Sequence, residues 1–144
     1  MSLFESILGF NNEFEFLSNF YPASIEYEGI IYPTVEHAYQ AAKTMNLTHR
    51  SNIAKLKYAG QAKKAGRKLA IRDDWEDVKV SVMEYLLRQK FSYEDLKSKL
   101  IATEDRYIEE TNHWNDTFWG VCNGKGQNIL GKLLMKIRNE IMPT

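Results

Sequence analysis

A single cysteine, Cys122, excludes an intramolecular disulfide and leaves no thiolate cluster for a metal. No run of ~20 apolar residues offers a membrane span, and the opening MSLFESILGF lacks the basic start of a signal peptide. The expected location is therefore cytoplasmic, with no membrane partner. The HExxH, GxSxG and Walker A patterns, each tied to a well-defined chemistry, are all missing. His37, His49 and His113 show no ligand-like spacing, so no metal site is expected. No repeat, low-complexity tract or linker interrupts the chain, and residues 1–144 are expected to form one domain.

Charge of one sign is missing from two long stretches. Residues 1–36 hold six acids and no Lys or Arg, whereas residues 37–72 hold nine bases and no Asp or Glu. Those bases are Lys43, Arg50, Lys55, Lys57, Lys63, Lys64, Arg67, Lys68 and Arg72. One reading is an anion-facing surface for phosphates or nucleic acid. The other is that the acidic N-terminal segment packs beside the basic block and cancels it. A formal net charge of zero argues against strong non-specific DNA binding.

What is present reads as a small β-rich start followed by helices, an α+β and predominantly helical chain. Alternation over Glu13, Phe14, Glu15 and Phe16 predicts a half-buried strand. SIEYEGIIY predicts a hairpin turning at Glu28-Gly29. Apolar periodicity and cap residues predict helices near 34–45, 48–58, 60–70, 75–90, 93–101 and 128–142. In the last of these, Ile129, Leu133, Ile137 and Ile141 form one stripe that Leu130 and Leu134 widen. RYIEET suits one further short strand. The stretch from Thr111 to Gln127 is long for a loop and carries two tryptophans, which predicts an ordered pocket wall.

The candidate chemistry starts at IYPTVEHAYQAAKT, where Thr34 stands in N-cap position. Glu36, Gln40 and Lys43 then recur at i, i+4 and i+7, along one face of the helix. That stripe is either a solvated surface or the lining of a pocket in which a carboxylate and an amine act together. Trp75 and Trp119 are each either core aromatics or platforms for a flat ligand. GKGQN, with Gly124 and Gly126 before a helix, is either a phosphate-binding turn or a plain tight loop.

These pieces stand in an order that resembles a known family. The runs FLSNFYPASIEYEGIIYPTVEHAYQAAK, AKKAGRKL, DDWEDVKVSVMEYLLRQKF and WG…NGKGQNILGKLLMKIR resemble the NADAR (NAD- and ADP-ribose-associated, YbiA-like) family over about residues 14–140. The resemblance implies a single compact α+β domain that cleaves N-glycosidic bonds without a cofactor. Its substrates would be phosphorylated intermediates of riboflavin biosynthesis or ADP-ribosylated guanine, as a base or within nucleic acid. Lys43 matches the family lysine thought to attack the ribose anomeric carbon through a Schiff base, Glu36 matches a glutamate tied to catalysis or binding, and Trp75 an aromatic tied to activity. The matching motifs imply substrate contacts at Asn19, Gln40, Arg67, Trp75, Trp119, Gly120, Gly124, Gly126 and Asn128. One departure stands out. Where many members carry an Asp after the Trp-Gly pair, this chain has Val121-Cys122, and Asp116 is the acid near enough in sequence to substitute. The alternative to an enzyme is an ADP-ribose- or NAD-binding module without turnover.

Overall fold

The computed structural model describes residues 5–143. In chain order the elements are β1 (Ile7–Leu8), a 3-10 helix (Asn12–Leu17), β2 (Pro22–Tyr27) and β3 (Ile30–Thr34). Then come α1 (Val35–Ala42), α2 (Leu47–Ala54), α3 (Ala59–Gly66), α4 (Trp75–Lys90) and α5 (Glu94–Ile101). The chain closes with β4 (Ile108–Glu109), β5 (Thr111–Asn112), β6 (Val121–Cys122) and α6 (Ile129–Ile141). This is an α+β fold dominated by helices. None of its described helices is long and apolar enough to cross a membrane. The chain gathers into two compact units, one running Asn19–Lys90 and the other made of the residues up to Ser18 together with those from Phe91 onward.

The Asn19–Lys90 unit is built around α1. The β2–β3 hairpin pairs antiparallel and turns at Glu28 (φ 47°) and Gly29 (φ 90°), two left-handed residues in succession, as the sequence predicts. Glu26 Oε2 accepts from the Gly29 amide at 2.8 Å and closes the turn. Thr34 then ends β3 and caps α1, its hydroxyl accepting from the His37 amide at 3.0 Å. Every residue of α1 is buried, because the hairpin, α2, α3 and α4 all pack on it. His37 is wholly inside: Thr34 Oγ1 lies 2.7 Å from Nδ1, and Nε2 meets the Leu56 carbonyl at 3.0 Å. The carbonyl only accepts, so Nε2 carries the proton and Nδ1 takes the hydroxyl's. Burial lowers the pKa of His37, which fits this neutral, structural role.

The other unit centres on α6, whose buried stripe runs through Leu130, Leu133, Leu134 and Ile137, with Ile129 and Ile141 at its half-buried margins. Arg138 is also inside, donating to the Arg106 carbonyl at 2.8 Å and to Thr103 Oγ1 at 3.1 Å. Two expectations need correction in this unit. Residues 13–16 are not a strand but part of the 3-10 helix, with Phe16 and Leu17 both buried and Glu13 and Glu15 exposed. Four alternating residues are too few to separate a period of two from a three-residue turn, and Asn12 at φ 52° starts the turn instead. RYIEET is not one strand but two: β4 pairs parallel with β1, and β5 pairs parallel with β6.

Candidate active site

The polar stripe of α1 is not a solvated face. Glu36 is only 8% exposed and Gln40 5%. The Gln40 amide donates from Nε2 to Glu36 Oε2 at 2.6 Å, a short charge-assisted bond between neighbouring turns. The Glu36 main-chain amide donates to the Asn19 carbonyl at 3.0 Å, which ties Asn19 to the start of α1. Asn19 Oδ1 and Gln40 Oε1 are buried without a hydrogen-bond partner. Orphaned acceptors of this kind cost stability and cluster where a ligand or water is meant to bind.

Lys43 closes α1 as its C-terminal cap and is half-buried. Its Nζ lies 5.5 Å from the centre of the Tyr39 ring, and that ring packs at 5.2 Å against Trp75. Trp75 is 5% exposed, so it supports the Tyr39–Lys43 stack from behind. The ammonium pKa is lowered chiefly by burial; Glu36 opposes the shift, and Arg67, Lys79 and Lys63 add to it. Loss of water is thus the larger cause, ahead of the surrounding positive charge.

The C-terminal end of α1 is held by main chain as well. The Arg72 amide donates to the Lys43 carbonyl at 2.8 Å, and its guanidinium grips Asp74 at 2.6 and 2.9 Å. Gly66, the last residue of α3, sits against Gln40: a Cβ there would lie 2.6 Å from Gln40 Cδ and overlap Oε1. Arg67 follows as the cap of α3 and is exposed. Sequence reasoning singles out Glu36, Gln40, Lys43, Arg67, Trp75 and Asn19, and the Asn19–Lys90 unit gathers them all around α1. It placed Lys63 only within the basic block and did not single out Lys79, and both lie close enough to act on the Lys43 ammonium. Lys79 lies one turn beyond Trp75 on α4, paired with Glu76 at 2.8 Å. The Trp-x-x-x-Lys spacing carried that signal.

The basic block is partly consumed within the fold. Arg50, 2% exposed, donates to Glu28 at 2.7 Å and to the Thr44 carbonyl at 2.8 Å, and stacks 5.2 Å from the Tyr27 ring. One N-terminal acid thus does neutralise one base, while Lys55, Lys57, Lys64, Arg67 and Lys68 stay exposed.

In the other unit, the aromatic loop is ordered by its own amides. Asn112 Oδ1 accepts from the Asp116 and Trp114 amides at 3.1 and 3.3 Å. Asp116 Oδ1 accepts in turn from the Trp119 and Phe118 amides at 2.9 and 3.2 Å. Trp119 is half-buried and edge-on to Phe118 at 4.9 Å. Carbonyls of Thr117, Phe118, Trp119 and Gly120 receive the amides of Gln127, Ile129, Leu130 and Asn128, so the first two amides of α6 are taken up by protein. Asn128, at φ 54°, spans the Glu110 amide and the Ile108 carbonyl with its side chain. Gly120 and Gly126 are packing glycines: a Cβ on the first would overlap the Glu110 carbonyl oxygen, and on the second the Gly120 carbonyl oxygen. Gly124 (φ 76°) has open space around it. Val121-Cys122, standing at the family's Asp, form β6 with Cys122 buried.

Comparison with known proteins agrees with this architecture. The sequence model of the NADAR domain matches residues 9–142. A riboflavin biosynthesis protein of Vibrio vulnificus is 38% identical over 130 residues, covering 88% of this chain but only 35% of its own length. The N-glycosidase YbiA of Shigella boydii is 38% identical over 129 residues, 86% of this chain and 79% of that protein. The NMR structure of the Escherichia coli protein YbiA superposes with a TM-score of 0.83 at 33% identity, covering 97% of this chain and 87% of that one. The chain belongs to the NADAR family.

Proposed function

We propose that this chain hydrolyses the N-glycosidic bond of a phosphorylated ribosyl compound. The observation that carries the reading is a buried carboxylate, Glu36, seven residues before a desolvated amine, Lys43, on one buried helix. Breaking an N-glycosidic bond builds positive charge at C1 of the ribose, and a carboxylate beside it stabilises that charge. A lysine with a lowered pKa holds more of its amine neutral and nucleophilic at pH 7. Attack on C1 forms the C1–Nζ bond and breaks the bond to the base. The C1–ring-oxygen bond then opens to leave the ribose as an imine on Nζ, the two amine protons passing to the base and to the ring oxygen, and water hydrolyses the imine and restores the amine. Lys63, Arg67 and Lys79 supply positive charge around the pair, which suits a phosphate on the ribosyl group. The names of the Shigella and Vibrio relatives support N-glycosidase chemistry and riboflavin metabolism respectively.

Among phosphorylated ribosyl compounds, ADP-ribosylated guanine in nucleic acid fits the exposed lysines at 55, 57, 64 and 68. The riboflavin-pathway amino-pyrimidine ribose phosphates are the second reading, favoured by the name of the Vibrio relative. The test is base release from ADP-ribosyl-guanine DNA, NAD and amino-pyrimidine ribose phosphates, run in parallel with borohydride trapping. Release with a reduced adduct on Lys43 is the expected result. Binding without release or adduct from any substrate would make the chain an ADP-ribose-binding module instead.

A further inference from the structure

Gln40 belongs to the same buried stripe, yet its geometry gives it a different task from binding substrate. Its Nε2 donates to Glu36 Oε2 at 2.6 Å, while its Oε1 is buried with no partner. A carboxylate can only accept, so the amide is turned to present N–H to Glu36 at the expense of its own oxygen. The orientation is therefore set by Glu36. On the far side stands Gly66, where any side chain would overlap Oε1 and crowd Cδ. The glycine's φ is not in the left-handed region, so the turn does not require it; the close approach of α3 to the Gln40 amide does.

We propose that Gln40 is the positioning residue of Glu36, with Gly66 forming a side-chain-free seat that keeps the Gln40 amide pressed toward the carboxylate. This rests on Glu36 being the group that stabilises developing charge. The amide fixes one carboxylate oxygen and with it the plane of the group. A carboxylate turned away from C1 contributes little, so a bond that holds its orientation matters to the chemistry. The arrangement also orders the chemistry along the sequence: Gly66 seats Gln40, Gln40 orients Glu36, and Arg67 next to the seat brings a cation to the same site.

The charges around the site are Glu36 and Lys43 on α1, Lys63 and Arg67 on α3, and Lys79 on α4. None of them changes in the variants below, so a shift in the titration of Glu36 reports the lost amide N–H. Gln40→Met keeps the length and removes the donor. In the ligand-free protein, carboxyl-carbon NMR should show the Glu36 pKa rising by about one unit, since the bond favours the charged form. Base release should lose about tenfold in kcat/KM at neutral pH with KM nearly unchanged, and its acid limb should move to higher pH by the same unit. Gly66→Ala should cost about tenfold in the native background but less than twofold in Gln40→Ala, where the seat is empty. An unmoved Glu36 titration in Gln40→Met overturns the proposal, and equal Gly66→Ala losses in both backgrounds overturn the seat. If the native protein releases base from no substrate, the hydrolase reading fails, but the NMR titration still decides what Gln40 does.

Discussion

Lys90, at the end of α4, is fully buried, with its Nζ 5.8 Å from the Tyr21 ring, and burial brings its pKa from 10.5 to about 7. In the unfolded chain the amine returns to its ordinary value, so the unfolded state binds more protons over the window from about pH 7 to about 10.5. Stability should therefore rise with pH across that window, and the cost of burial is fully present below it. At pH 8 the folded amine is about nine-tenths neutral and the unfolded one nearly all charged. The slope from this residue alone is then on the order of 1 kcal/mol per pH unit. Urea unfolding of the native chain and of Lys90→Met, from pH 6.5 to 9.5, isolates this contribution in the difference between the two. Lys90→Met should be the more stable at pH 7 by a few kcal/mol, with an advantage that shrinks steadily toward pH 9.5. A difference independent of pH, or Lys90→Met being less stable throughout, would show that Lys90 is held charged by its surroundings and that desolvation does not govern it.

Glu36→Gln keeps the shape and removes the charge, so steady-state assays of base release should show kcat lower by ~100-fold or more with ligand affinity largely kept. Lys43→Arg keeps a cation over Tyr39 but forms no imine; binding by calorimetry should persist while turnover and the borohydride adduct both vanish. Robust hydrolysis by Lys43→Arg would leave Glu36 and a water as the working pair. Gly120→Ala forces a side chain onto the Glu110 carbonyl oxygen and should destabilise the fold by roughly 1–3 kcal/mol in chemical denaturation.

Elements with local signals were legible in the sequence. Thr34 announces α1, Glu28-Gly29 the hairpin, and the run from Trp75 to Lys90 gives α4 at its observed bounds. The two-residue strands β1, β4, β5 and β6 were not legible as pairs, because two residues carry no period and their partners lie far along the chain. The same limit hid the Arg50–Glu28 ion pair, made between residues 22 apart. Spacing placed Glu36, Gln40 and Lys43 on one stripe but left open whether water covered it. Burial of that stripe depends on how many elements surround α1, which local pattern does not report. The glycine-rich turn before α6 illustrates the reverse case: its sequence carries no sign that the carbonyls at 117–120 take up the amides of residues 127–130.

Mounting a carboxylate and an amine seven residues apart on one continuous helix has a consequence for how such a site can diversify. Their separation along the axis, about 10 Å, comes from the rise of the backbone and not from the packing of one element on another. Substitutions in the hairpin, in α3 or in α4 can widen, narrow or recharge the space around the pair without altering its spacing. If the pair acts as proposed, leaving-group preference becomes a property of the scaffold's replaceable walls, and bond cleavage a property of a fixed ruler. A laboratory effort to redirect this chain toward another nucleobase should leave residues 35–43 and Gly66 untouched and randomise what else leans on them.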